Sequence, residues 1–249
     1  VIALGSSGGN KAKPITPAGK RYTAATKPVP TNRVTGNGSG TVNLNGDVAT
    51  VAVDTAGLLN GAPHAMHIHA GGKGICPPAS AARDHNGHLA ISTTNGIAYY
   101  GHPQVALTST GDTSPKSIVD FSRYPSTGNI AYKRQITIPS GVASAIRAGN
   151  AAVIVHGIDY NHNGVYDNVL DRSELNNSLP GEATAPALCG TLVPSKTTTA
   201  DGHTKMVYAF VLHRFIAAAT VGDEVNYLCH IVGVDATEIA DPRARGQTA

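Results

Sequence analysis

Tryptophan is absent from the 249 residues and phenylalanine occurs only 3 times. An apolar interior must therefore be assembled from Val, Ile, Leu and Ala. Cysteine is scarce as well, with residues at 76, 189 and 229 and no C-x-x-C pair, which argues against a zinc–thiolate cluster. The odd count leaves room for one disulfide and one spare thiol. Charged residues make up 14% of the chain, too few for the highly charged kind of disorder. No stretch approaches a membrane-spanning length of about 18 apolar residues, so no transmembrane segment is expected. The 19 basic residues are scattered around a net charge of +3 rather than gathered into a stripe, which argues against nucleic acid as a partner. No Gly-x-Ser-x-Gly elbow, Walker loop or dinucleotide fingerprint occurs, so serine hydrolysis and nucleotide chemistry have no positive support.

What is present is more informative. A hydrophobic fraction of 41% supports a core, and 28 Gly with 15 Pro predict many turns. Short strand candidates recur along the chain. Val42 and Leu44, then Val51 and Val53, alternate with small or polar residues around Asn45-Gly46-Asp47, which predicts a β-hairpin over 40–54. Further strands are expected at 64–70, 104–109, 117–122, 130–138, 151–156 and 187–193. One short helix is expected, capped by Ser140, striped by Val142, Ala145 and Ile146, and ended by Gly149. The pattern is that of an all-β Greek-key sandwich or barrel with long loops. Residues 1–35, with repeated Pro and no apolar period, read as a flexible tail, and 36–195 as the β domain. Residues 196–249 read as an extension packed on the same core, with a loop at 196–204 and strands within Met206–Ala217 and Tyr227–Val232. The chain starts Val-Ile-Ala-Leu without Met or a charged leader and is expected to be a mature or trimmed product. A Thr/Asn/Gly-rich surface with one long-range disulfide suits a secreted, extracellular or periplasmic setting.

Histidine, 11 in number, points first at metal. In His64-Ala65-Met66-His67-Ile68-His69 a strand places His67 and His69 on one face, close enough to share an ion, and Met66 and Ile68 on the other. A polar strand face in water is the bland alternative. His64 shares the inward parity and reads as a buried, backbone-bonded imidazole, with metal ligation as the lesser alternative. His156 closes the apolar run Ala151–Val155 and becomes a third ligand candidate beside the pair. A second constellation, Asp159, Asn161, Asn163, Gly164 and Asp167, follows the start of a calcium loop, although position 12 is Leu170. A hydrogen-bonded Asx-rich loop is the alternative there.

Met66-His67-Ile68-His69, Cys76, Val155-His156-Gly157 and Ala187-Leu188-Cys189-Gly190 fall in the order seen in copper/zinc superoxide dismutases, which the region 36–195 resembles. Tyr100-Gly101, Thr110-Gly111-Asp112-Thr113 and Leu179-Pro180-Gly181-Glu182-Ala183-Thr184 resemble the related bacterial CHRD-type domains. The resemblance implies an eight-stranded Greek-key barrel, a Cys76–Cys189 disulfide, copper on His67, His69 and His156, and superoxide as the reactant. It also implies zinc, for which His85, His88, His102 and Asp112 are the available residues, at spacings that differ from the family's. Where that family carries an anion-guiding Arg, three residues before the second Cys, this chain has Pro186. A copper carrier, or a non-enzymatic extracellular module stabilised by calcium and the disulfide, stands as the alternative to a copper enzyme.

Overall fold

A computed structural model describes residues 19–195 and, beyond them, only the backbone of 197–198 and 204–205. The chain divides into two units, Val1–Ser195 and Lys196–Ala249. In the first, the strands are β1 (Lys20–Pro28), β2 (Asn37–Asn45), β3 (Val48–Ala56), β4 (Met66–Ala70), β5 (Arg83–His85), β6 (His88–Ala90), β7 (His102–Ala106), β8 (Ile130–Thr137), β9 (Ala151–His156), β10 (Pro186–Thr191) and β11 (Val193–Pro194). Three short helices intervene: α1 (Thr93–Tyr100), α2 (Ser140–Arg147) and α3 (Gly181–Thr184). In the second unit β12 (Thr197–Thr198) pairs with β13 (Thr204–Lys205).

The sheet runs β7-β4-β9-β10-β1-β2-β3-β8, antiparallel throughout, with β11 added to β1. The last long strand lies beside the first, and β4 inserts between β7 and β9, so the described part of the first unit is an all-β Greek-key sandwich curled into part of a barrel. β1 joins the two halves: Lys20–Thr26 pair with β2, and Lys27–Pro28 pair with β10.

Alternation dictates the core. Val42 and Leu44 of β2 and Ala49, Val51 and Val53 of β3 point inward, and Gly46, at φ +57°, closes the hairpin. Met66, Ile68, Val153, Val155 and Leu188 of the other half meet them in one cluster. β9 is buried along its whole length, which is why it reads as an uninterrupted apolar run. Its other face carries Ala152 and Ile154, which pack with Ile91, Tyr100, Val29 and Cys189 in a second, outer cluster. The structure thus has one apolar layer inside the sandwich and another between β9 and the long loops.

Several expectations need correction. The tail predicted over 1–35 contains β1, a central strand with Tyr22, Ala24 and Thr26 buried on alternate positions. Small Ala and Thr residues between prolines carry too little apolar contrast to betray that period. Residues 1–18 lie outside those described. The strand expected at 117–122 is instead two single turns of 3₁₀ helix, Pro115–Ser117 and Phe121–Arg123, because Ser114 caps a turn that opens on proline. Helix α1 was not foreseen: it is short and weakly amphipathic, and its capping box pairs Ser92 with Asn95 rather than with Glu or Gln. Helix α2 falls where expected but starts at Ser140 instead of being capped by it, and its buried stripe is Val142, Ala143 and Ile146. The loop expected at 196–204 contains β12 and the first residue of β13, so it is a short hairpin instead, while the strands foreseen in Met206–Ala217 and Tyr227–Val232 and Cys229 lie outside the described residues.

Cys76, in the loop after β4, and Cys189, on β10, form a disulfide with a Cα–Cα distance of 5.7 Å and a sequence separation of 113. A loop of that length constrains the unfolded chain by about 4–5 kcal/mol in the chain-entropy model. It also ties the outer loops onto the second apolar cluster. The Cys76→Ser/Cys189→Ser double variant is expected to lose about 2–5 kcal/mol in urea unfolding. An unchanged midpoint and slope would show that the bridge contributes nothing to stability.

Candidate metal centre

β4 builds one side of the site. Its even positions, Met66 and Ile68, sit in the inner core, so the period of 2 sends His67 and His69 to the outer face. β9 pairs alongside, with His67 opposite Ile154 and His69 opposite Ala152, and its terminal His156 projects beyond that register. The backbone N–H of His156 donates to Ala65 O at 2.8 Å, which fixes the strand end against β4. The ring centroids of His67 and His156 lie 4.9 Å apart, those of His69 and His156 5.6 Å, and those of His67 and His69 5.7 Å. One nitrogen from each ring lies within 4.8 Å of the others. All three residues are buried, with exposures of 4%, 0% and 2% for His67, His69 and His156.

The outer nitrogens of the rings settle which inner nitrogens are free. His69 Nδ1–H donates to Gly101 O at 2.9 Å, and His156 Nδ1–H donates to Thr184 O at 2.8 Å. His67 Nε2–H donates to Ile118 O at 3.0 Å, with the Tyr124 hydroxyl 3.2 Å away. Each donation leaves the other ring nitrogen unprotonated: His67 Nδ1, His69 Nε2 and His156 Nε2. His67 Nδ1 is buried without any hydrogen-bond partner. His69 Nε2 and His156 Nε2 stand 3.4 Å apart with neither carrying a hydrogen for the other.

Three imidazoles gathered in one buried spot can hold a cation between them, and a proton is a poor candidate. Burial pushes the His69 imidazole down to about 3, helped by the neighbouring His156 and His102 and partly opposed by its bond to Gly101. Burial likewise lowers His156 to about 4 against its bond to Thr184. His67 is held well below its ordinary value by burial first and by His156 and His69 next. At neutral pH all three are therefore uncharged. Two ligands at about 2 Å from one ion in tetrahedral geometry lie ~3.3 Å apart, close to the His69–His156 spacing. The donor set, the orphaned nitrogen and the backbone-oriented rings fit a transition metal ion.

Gly101, Thr184 and Ile118 act through main-chain oxygens, so no side-chain signal in the sequence could have marked them as ligand-orienting. Gly101 adopts φ +86°, and a Cβ there would lie 2.2 Å from Ala70 O. Only glycine therefore brings this carbonyl back onto His69. Tyr100 stands edge-on to His69 at 4.8 Å, its hydroxyl donating to Thr93 O. A small pocket reaches the cluster, lined by Ala65, Pro103, Ile118, Val119, Phe121 and Leu175, with Thr93 and Thr184 beside His67 and His156. No Lys or Arg is among its lining residues.

The other candidate ligands do not converge. His64 is buried behind β9, 2.9 Å from His156 O through Nδ1 and 2.8 Å from Leu59 O through Nε2. His85 lies 2.9 Å from Asn95 Oδ1, and His88 packs against the Tyr160 ring at 5.4 Å. His102 is exposed at the start of β7, and Asp112 accepts from the hydroxyls of Ser114 and Ser117. Among the described residues, His67, His69 and His156 form the one group of His, Cys, Asp or Glu side chains close enough to share an ion. The zinc set of His85, His88, His102 and Asp112 is therefore not assembled, because hairpin β5–β6, the start of β7 and the 112–124 loop carry its members apart.

The calcium candidates lie together in the loop after β9. Asp159 accepts from the N–H groups of Asn163 and Gly164, and Asp167 Oδ2 accepts from the amides of Asn161 and Asn163. Glu182, fully shielded from solvent, braces the loop by accepting from the N–H groups of Tyr160 and Asp167, both at 2.6 Å. The chain matches no protein-family model and no curated protein in sequence. Among the described residues, no helix is long and apolar enough to cross a membrane.

The three depressed imidazoles make stability pH-dependent. In the unfolded chain they protonate near 6.5, while in the folded protein His69 and His156 stay neutral down to about 3 and about 4. Below 6.5 the unfolded state therefore binds more protons, and stability falls as pH drops. The metal-free protein is expected to show a falling urea midpoint between about pH 7 and about pH 5, and a His67→Leu/His69→Leu/His156→Leu variant a flatter profile. Parallel profiles would contradict the neutral buried cluster.

Proposed function

We propose that this chain is an exported copper-binding protein of the superoxide-dismutase-like barrel class, with the ion on His67 Nδ1, His69 Nε2 and His156 Nε2. The observation that carries the proposal is the buried, unpartnered His67 Nδ1 in a three-histidine group that offers one nitrogen per ring within 4.8 Å of the others. Three neutral nitrogens suit copper, which binds such sites more tightly than the other divalent first-row ions and is held by imidazole in both oxidation states. Copper, when bound, supplies one-electron cycling between Cu(II) and Cu(I). The order Met66–His69, Cys76, His156 and Cys189, with its resemblance to copper/zinc dismutases, supports the same choice, and the disulfide supports an oxidising compartment.

The protein's own residues do the rest. Gly101, Thr184 and Ile118 orient the imidazoles, Tyr100 shields His69, and the apolar pocket limits approach to small molecules. That pocket supports superoxide access without electrostatic guidance. Pro186 stands where the resembled family has its guiding Arg, and no Lys or Arg is among the described residues that line the pocket. Conversion of superoxide is then slow and nearly independent of ionic strength. The same features favour a second reading, in which the site retains or carries copper without turnover.

Metal analysis after loading is expected to give one copper per chain, with a Cu(II) electron paramagnetic resonance spectrum carrying nitrogen hyperfine structure. His156→Ala is expected to weaken copper by more than the ~10–100-fold that loss of an outer hydrogen-bond partner costs. Refusal of copper by the folded wild-type chain would overturn the proposal. Copper binding without superoxide consumption would select the carrier reading.

A further inference from the structure

Two of the short segments that flank the site already have a part in it, Tyr100-Gly101 through the bond to His69 and Gly181–Thr184 through the bond to His156. Thr110-Gly111-Asp112-Thr113 makes no hydrogen bond to any of the three histidines. The loop that it opens does. Residues 110–124 contain only two 3₁₀ turns, so their shape rests on side-chain hydrogen bonds rather than on a ladder or a long helix. Asp112 Oδ2 accepts from Ser114 Oγ at 2.6 Å and from Ser117 Oγ at 2.8 Å. Arg123 closes the loop. Its Nε donates to Asp120 at 2.7 Å, one terminal nitrogen donates to Thr110 O and Asp112 O at 3.2 and 3.1 Å, and the other donates to Ser117 Oγ at 2.6 Å. A Cβ at Gly111 would lie 2.8 Å from the guanidinium, and Gly111 itself adopts φ +70°. The left-handed backbone at this position therefore favours glycine, and its missing side chain leaves room for the guanidinium.

The inner wall of the same loop holds a metal-ligand candidate. Ile118 O accepts from His67 Nε2–H, and Tyr124 Oη lies within reach of the same hydrogen while donating its own to Ser117 O at 3.0 Å. The Tyr124 ring stands at 88° to the imidazole. Ser117 is the shared element: its hydroxyl belongs to the Asp112–Arg123 network and its carbonyl to the Tyr124 bond.

We propose that Asp112 and Arg123, acting through Ser117 and Tyr124, are positioning residues that hold His67 as the Nε2–H tautomer, with Nδ1 turned toward His69 and His156. His69 takes its outer bond from the carbonyl after α1, and His156 from the carbonyl ending α3. His67 is the one of the three whose orientation depends on a loop without regular structure. Were that loop slack, the opposite tautomer would aim an N–H into the cluster and exclude a cation from it. The inference rests on the metal reading for its purpose, while the tautomer itself is a property of the metal-free chain.

The test uses the full chain, metal-free and copper-loaded. Nitrogen–proton correlation spectra of the metal-free wild type are expected to show His67 as the Nε2–H tautomer alone. Arg123→Ala is expected to populate the second tautomer, to lower Cu(II) affinity by ~10–100-fold, and to change the Cu(II) hyperfine pattern. Tyr124→Phe removes a single hydroxyl from the same relay and is expected to shift tautomer and affinity in the same direction by a smaller factor. It decides the matter should Arg123→Ala fail to fold. An Nδ1–H tautomer in the wild type overturns the proposal. So does a folded variant in which tautomer, affinity and spectrum all stay at wild-type values, because the loop would then contribute stability alone. A wild type that binds no copper ends the copper reading but leaves the tautomer result to decide this one.

Discussion

Three uncharged imidazoles share one buried point with no hydrogen to divide among them, and the surrounding structure is arranged around that constraint. Burying polar nitrogens without partners costs free energy, and His67 Nδ1 has none. The chain tolerates the arrangement because every outer nitrogen of the trio is held by a main-chain oxygen. Those three carbonyls come from three different connections: the turn after α1, the 3₁₀ loop between β7 and β8, and the end of α3. The long loops of this β protein therefore build the site's outer wall, and the sheet supplies its ligands.

The sheet delivers them through the two-faced character of β4 and β9. Inner residues of both strands are locked into the main core, so their outer residues have little freedom to drift. The disulfide adds a covalent tie between the loop after β4 and β10 at the edge of the outer apolar cluster. Rigidity of this kind suits a site whose three neutral imidazoles must be held close together.

Much of this was legible from one dimension. The i, i+2 spacing of His67 and His69 between apolar residues places them on one strand face. A histidine closing an apolar run marks a strand end, and the hairpin at 40–54 follows from alternation around Asn45-Gly46. Other features were hidden for definite reasons. In β1 the inner Ala24 and Thr26 alternate with Thr23 and Ala25, side chains that scarcely distinguish the two faces, and Tyr22 alone marks the inner one. Helix α1 opens on a capping box closed by Asn95. His85, His88, His102 and Asp112 have the residue types of a second metal site, but their positions depend on how a hairpin and two loops fold back, and these carry them apart.

Strand periodicity by itself determined the all-β class and which histidines share a face, because side-chain direction along a strand depends on parity alone. Residue type likewise determined that those side chains have a metal's chemistry. Only the tertiary structure decided that His156 joins them, since the pairing of β4 with β9 spans a sequence separation of 87 between His69 and His156. It also decided which nitrogen of each ring faces inward, because that choice belongs to carbonyl groups of Gly101, Ile118 and Thr184. A carbonyl is common to every residue, so its role arises from where the backbone passes and leaves no trace in the order of side chains.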